Sequence, residues 1–105
     1  MELLARKKLI ALELLATHGV MYALEMCERS TKRLKRGTIY PTLYALELDG
    51  YVTSREEEQP QHRGLPRRYY EITAEGRRVV RAAHAAATIL ADPLPPTPAP
   101  TGAKI

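Results

Sequence analysis

Lys32, Arg33, Lys35 and Arg36 place four cations within five residues, and Arg63, Arg67 and Arg68, with His62, make a second group. Neither group comes with the acid-base pair, nucleophile motif or glycine-rich phosphate loop that would turn positive charge toward catalysis. Clustered Lys and Arg suit a regular array of anions. Duplex nucleic acid offers such an array, and its phosphates reward a basic surface mainly through release of condensed counterions. Between the groups lies a run of hydroxyl-bearing and small side chains, Thr38, Tyr40, Pro41, Thr42, Tyr44 and Ala45. Hydroxyls bond to phosphates or base edges, and small groups meet thymine methyls. A solvated basic loop is the plainer reading of the same charges, and Tyr40 and Tyr44 would serve as well in a core or an interface between copies. Glu56, Glu57 and Glu58 oppose phosphate binding unless they face away or pair with nearby arginines.

These residues need elements to hold them. Ala5 to Thr17 has Leu9, Ile10, Leu12, Leu14, Leu15 and Ala16 on more than one face, as in a helix buried among several neighbours. A second helix is expected over about 20–30, with either Met21, Leu24 and Cys27 or Ala23 and Met26 inward. A third is expected over about 38–49, capped by Thr38, with Pro41 in its first turn and Ile39, Leu43 and Leu46 as its core stripe. The period then changes. Residues 51–55 and 68–73 have strand character, and the intervening segment, with Pro60, Gly64 and Pro66, reads as a long hairpin loop.

A last helix opens at Thr73 and runs to about Leu90. Val79, Ala83, Ala86 and Leu90 share a stripe flanked by Val80, Ala87 and Ile89, and pairing with a second copy would cover it. Folding back onto its own domain is the competing arrangement. The expected fold is mainly α with a small β-hairpin: a winged helix-turn-helix plus a C-terminal dimerisation helix. Its divisions would be 1–73 for the DNA-binding domain with its N-terminal helix, 74–91 for the dimerisation helix, and 92–105 for a tail. That tail holds five of the eight prolines and is expected to stay extended and flexible.

Composition narrows the function. A chain of 105 residues has room for one modest core, and a formal charge of +4 favours an anionic partner. No apolar run approaches the ~20 residues of a membrane span. The start does not resemble a secretion signal, so a cytoplasmic location is expected. His18, His62 and His84 are far apart, and no enzyme activity, metal or cofactor is expected. The single Cys27 excludes an internal disulfide and reads as a structural thiol, with a redox switch as the alternative.

The block Gly37-Thr38-Ile39-Tyr40-Pro41-Thr42-Leu43-Tyr44-Ala45-Leu46-Glu47-Leu48-Asp49-Gly50-Tyr51-Val52 resembles the recognition-helix signature of PadR-like transcriptional regulators. Gly64-Leu65-Pro66-Arg67-Arg68-Tyr69-Tyr70-Glu71-Ile72-Thr73-Ala74-Glu75-Gly76 is similar to that family's wing strand and the start of its last helix. Both stand at the family's spacing, and the resemblance spans roughly 8–91. It implies a homodimeric repressor on a pseudo-palindromic operator, with release by a small-molecule effector as one mode of control and constitutive repression as another.

On that reading Lys32, Lys35, Arg36, Thr38, Tyr40, Pro41, Thr42, Tyr44, His62, Arg63 and Arg67 contact DNA. The helix over about 38–49 would lie in the major groove and the wing over about 56–67 on the backbone or minor groove. Val79, Val80, Ala83, Ala86, Ala87 and Leu90 form the dimer contact. A protein-interaction module on the same fold and a non-specific architectural DNA binder remain alternatives.

Overall fold

The computed structural model describes residues 3–58 and 64–91. Helix α1, Leu3–His18, is followed by a two-residue strand β1, Met21–Tyr22, and the short helix α2, Ala23–Arg29. Helix α3 spans Arg36–Leu48, strands β2 and β3 span Val52–Glu56 and Arg68–Ile72, and helix α4 spans Ala74–Ala91. The three strands form one antiparallel sheet in the order β1-β3-β2. The Pro-rich segment 92–105 lies outside the described residues.

Helix α1 is the centre of the core. Ile10, Ala11, Leu12 and Leu15 are buried on more than one of its faces, because α3, α4 and β3 all pack against it. The expected stripe of α3, Ile39, Leu43 and Leu46, is fully enclosed. In the hairpin Val52 pairs with Ile72 and Ser54 with Tyr70, so alternate residues put Val52, Tyr70 and Ile72 on the core side.

Three local expectations are corrected. The expected second helix does not begin at Val20: Met21 and Tyr22 are extended and pair with Tyr70 and Tyr69, which makes β3 the middle strand. A two-residue strand is too short to leave a periodic signature in sequence. Helix α3 starts earlier than expected, with Lys35 in extended backbone at its N-cap, so Thr38 is not the cap. Pro41 is consequently in the helix interior, and Gly37 loses the N–H that would have bonded its carbonyl.

The connection from α2 to α3 is held by Ser30. Its buried hydroxyl donates to the Cys27 carbonyl at 2.8 Å and accepts the Leu34 N–H at 2.9 Å. Past that brace, Thr31 and Lys32 take φ of 53° and 70°, left-handed backbone that costs a non-glycine residue energy. The tight turn lets buried Leu34 anchor the segment while Lys32, Arg33 and Lys35 stay exposed.

At the other end of α3, Gly50 has φ +83°; its N–H bonds Glu47 O at 3.0 Å and the Tyr51 N–H reaches Leu46 O at 2.9 Å. This closure turns the chain directly into β2. Thr73 joins the hairpin to α4 as the sequence suggests: its hydroxyl accepts the Gly76 N–H at 3.0 Å and donates to Gly50 O at 2.7 Å.

Candidate nucleic-acid interface

The solvent face of α3 is apolar and aromatic. Tyr40, Tyr44 and Leu48 are 53%, 66% and 70% exposed. Pro41 and Gly37 are exposed on the same side, whereas Ala45 is half-buried. Core packing cannot account for this face, since Ile39, Leu43 and Leu46 already fill the opposite one.

Cations stand at the N-terminal end of that face. Arg36 is the first residue of α3 and Lys35 its N-cap; both are exposed, as are Lys32 and Arg33 in the strained turn. Helical N–H groups point the same way and add partial positive charge. Cys27 lies half-buried beneath, and burial pushes its thiol above the ordinary range despite the opposing pull of Arg36. A raised pKa leaves little thiolate at neutral pH, so Cys27 fits packing better than reactivity.

Of the second group, Arg67 and Arg68 sit where β3 begins in the hairpin. Arg67 lies with its guanidinium carbon 4.3 Å from the centre of the Tyr22 ring, and Tyr22 meets Tyr69 edge-on at 5.8 Å. Tyr22 therefore supports the base of the wing from 45 residues away, a role that no local spacing in the sequence announces. Arg68 donates to the Ser54 hydroxyl at 3.1 Å, and Ser54 donates to the Glu47 carboxylate at 2.9 Å. This chain of bonds fixes the hairpin against α3. A groove lined by Tyr22, Leu24, Tyr40, Leu65, Pro66 and Arg67 separates the wing from the exposed face.

Acidic residues nearby are largely engaged. Asp49 pairs with Lys8 at 3.2 Å and Arg55 with Glu71 at 3.6 Å. Glu57 clasps the hairpin, accepting the Arg67 N–H at 3.0 Å while its own N–H donates to Arg67 O at 2.7 Å. Glu56 and Glu58 are exposed.

Of the residues expected to contact DNA, Lys32, Lys35, Arg36, Tyr40, Pro41 and Tyr44 share the exposed side of α3 and its leading turn. Arg67 is half-buried at the wing base. Thr42 is a correction: it is 1% exposed and its hydroxyl donates to Thr38 O at 2.8 Å, because its position falls beside the core stripe. Thr38 is half-buried and accepts from Lys7 Nζ at 3.1 Å, so its hydroxyl joins α1 to α3. His62 and Arg63 lie outside the described residues.

The expected dimer stripe divides in two. Val80 is 6% exposed and belongs to the chain's own core, with Val79 packed beside it and Ala83 half-buried, so Val80 is not available to a second copy. Further along, Ala86, Ala87 and Ile89 are exposed; the Leu90 side chain lies outside the description. His84 Nε2 is 3.1 Å from Glu13 Oε2, which joins α4 to α1. No helix among the described residues is long and apolar enough to cross a membrane.

The family model for the transcriptional regulator PadR-like family matches residues 9–82. A PadR-like transcription factor from Bacteroides fragilis has the same fold, with a TM-score of 0.74 and 24% identity over 85% of this chain and 86% of that one. A PadR family transcriptional regulator from Eggerthella lenta is 28% identical over 85% of this chain and 80% of its own, with a TM-score of 0.67. Bacillus subtilis PadR, solved in complex with operator DNA, superposes with a TM-score of 0.67 at 23% identity, over 90% of this chain and 52% of that one. No curated protein matches the chain.

Proposed function

The chain belongs to the transcriptional regulator PadR-like family, and from that premise we propose that it binds duplex DNA at specific operators as a homodimeric repressor. The observation that carries this reading is the exposed face of α3 with cations at its leading end and Arg67 and Arg68 on the hairpin beside it. Such a helix has the diameter of a major groove, and its flanking charges match the phosphates on either side. The operator complex of Bacillus subtilis PadR supports the same use of the fold.

In this account α3 enters the major groove. Lys32, Lys35 and Arg36 bind the backbone at its leading end, and the hairpin bearing Arg67 lies along the adjacent backbone or minor groove. Backbone contacts set position and orientation; the face of Tyr40, Pro41 and Tyr44 meets the bases. The exposed end of α4, with Ala86, Ala87 and Ile89, is where a second copy would pack, since small side chains allow helices to approach closely. Occupying an operator excludes other proteins from it, and repression is the mode we propose.

Two-fold symmetry makes a sharp prediction. Hydroxyl-radical footprinting on DNA upstream of the protein's own gene is expected to show two protected half-sites of inverted sequence, separated by about 10 base pairs or a multiple of that. A single isolated protected site would contradict the dimer. Even protection along the whole duplex would favour an architectural protein instead.

A further inference from the structure

We propose that α3 reads its operator chiefly through thymine C5-methyl groups, with Tyr40 and Tyr44 as the specificity-determining side chains. This inference rests on the DNA-binding reading above and concerns what that surface recognises. At 3.6 residues per turn, Gly37, Tyr40, Pro41, Tyr44 and Leu48 fall within an arc of about 100° on α3, and all five are exposed. No Arg, Lys, Asn or Gln lies in that arc. The face therefore lacks the bidentate donors that select guanine or adenine.

The neighbouring polar groups are committed elsewhere. Glu47, at the edge of the arc, accepts the Ser54 hydroxyl; Thr38 is tied to Lys7, and Thr42 is buried. What the arc presents is two aromatic rings, a proline ring and an aliphatic chain, with the tyrosine hydroxyls as its only polar side-chain groups. In the major groove the apolar feature of a base edge is the thymine methyl.

The charge around the arc decides its occupant. A second copy docked on this face would bring Lys32, Lys35 and Arg36 of two chains toward each other. A polyanion docked there instead meets those cations with opposite charge. An apolar strip framed by positive charge fits a thymine-bearing groove between phosphate walls.

The test uses the full chain and the footprinted operator. Thymines within the half-sites are replaced by deoxyuridine, which removes the methyl while keeping base pairing, and affinity is measured by fluorescence anisotropy. Each contacted methyl removed is expected to weaken binding about fourfold, the effect of exposing one buried CH₂-sized group. The same replacement outside the footprint is expected to leave affinity unchanged. The Y40A/Y44A double variant, altered only at exposed positions, is expected to bind thymine and uracil operators alike.

Equal affinity of the unaltered protein for both duplexes, with selectivity for the operator retained, would overturn the methyl readout and leave the regulator reading standing. Full thymine preference in the double variant would overturn the assignment to Tyr40 and Tyr44. Failure to bind the unmodified operator would remove both readings together.

Discussion

Replacing Gly76 by alanine is expected to destabilise the protein by about 2 kcal/mol, although the same change usually strengthens a helix. Gly76 lies in the first turn of α4, where that helix crosses the end of the hairpin. A Cβ built there runs into the Tyr51 carbonyl oxygen and stands 2.7 Å from Ile72 Cγ1. Ile72 is a core residue on the middle strand, and the Tyr51 carbonyl already accepts the Thr73 N–H at 3.0 Å. Relief would require α4 to lift off the sheet, which would break the contacts of Val80 and loosen the Thr73 joint. The gain in helix propensity, roughly 1 kcal/mol, does not offset overpacking against backbone. Urea unfolding of G76A measures the difference directly; an unchanged or higher midpoint would show that α4 does not approach the hairpin this closely.

The K35A/R36A double variant is expected to lose operator affinity on the order of a hundredfold at moderate salt, with little change in preference for operator over unrelated DNA. Both side chains are exposed at the leading end of α3, and a homodimer would lose four cations at once. Each phosphate contact contributes about one to the slope of log affinity against log salt, so that slope should become shallower by about four. Both positions are exposed, and thermal stability should be retained. A loss confined to the operator, with the salt slope unchanged, would mean that these residues read bases and not backbone. These two variants separate the parts of the account: one tests how the fold is joined, the other how it would meet its partner.

Much of this molecule could be read before any coordinates. The stripe Ile39, Leu43 and Leu46 identifies the inward face of α3; the sequence leaves Tyr40 and Tyr44 open between a DNA contact and a place in the core or an interface between copies, and in the structure both are exposed. Thr73 marked the start of α4, and the alternation around Val52 and Ile72 marked the hairpin. The long apolar pattern of α1 signalled a helix enclosed by several neighbours, as it is by α3, α4 and β3.

The misreadings share a cause. Helical periodicity identifies a face but not the element that covers it. The periodicity assigns Val80 to a contact with a second copy, whereas the side chain enters the chain's own core. Thr42 reads with its exposed neighbours in sequence, yet it lies a fraction of a turn from the core stripe and is enclosed with it. Thr38 resembles an N-cap in isolation, but Lys35 caps α3 and Lys7 from a distant helix takes the threonine hydroxyl. Tyr22 under Arg67 and Lys8 beside Asp49 are likewise pairings across the fold. Local sequence carries secondary structure and the broad distribution of charge; it does not carry such long-range partners.

Glu57 shows the same division. Three consecutive glutamates near a phosphate-binding surface look self-defeating when read as net charge. In the structure the middle one closes the hairpin on the Arg67 backbone, so it serves the shape of the wing.

Selective binding of duplex DNA through α3 and its flanking cations can be measured by fluorescence anisotropy. The full chain is titrated onto labelled DNA from upstream of its own gene at several salt concentrations, with unrelated duplex as competitor. Tight binding that survives a large excess of competitor and weakens steeply as salt rises is the expected result. Equal displacement by every duplex, or no binding even at low salt, would contradict it.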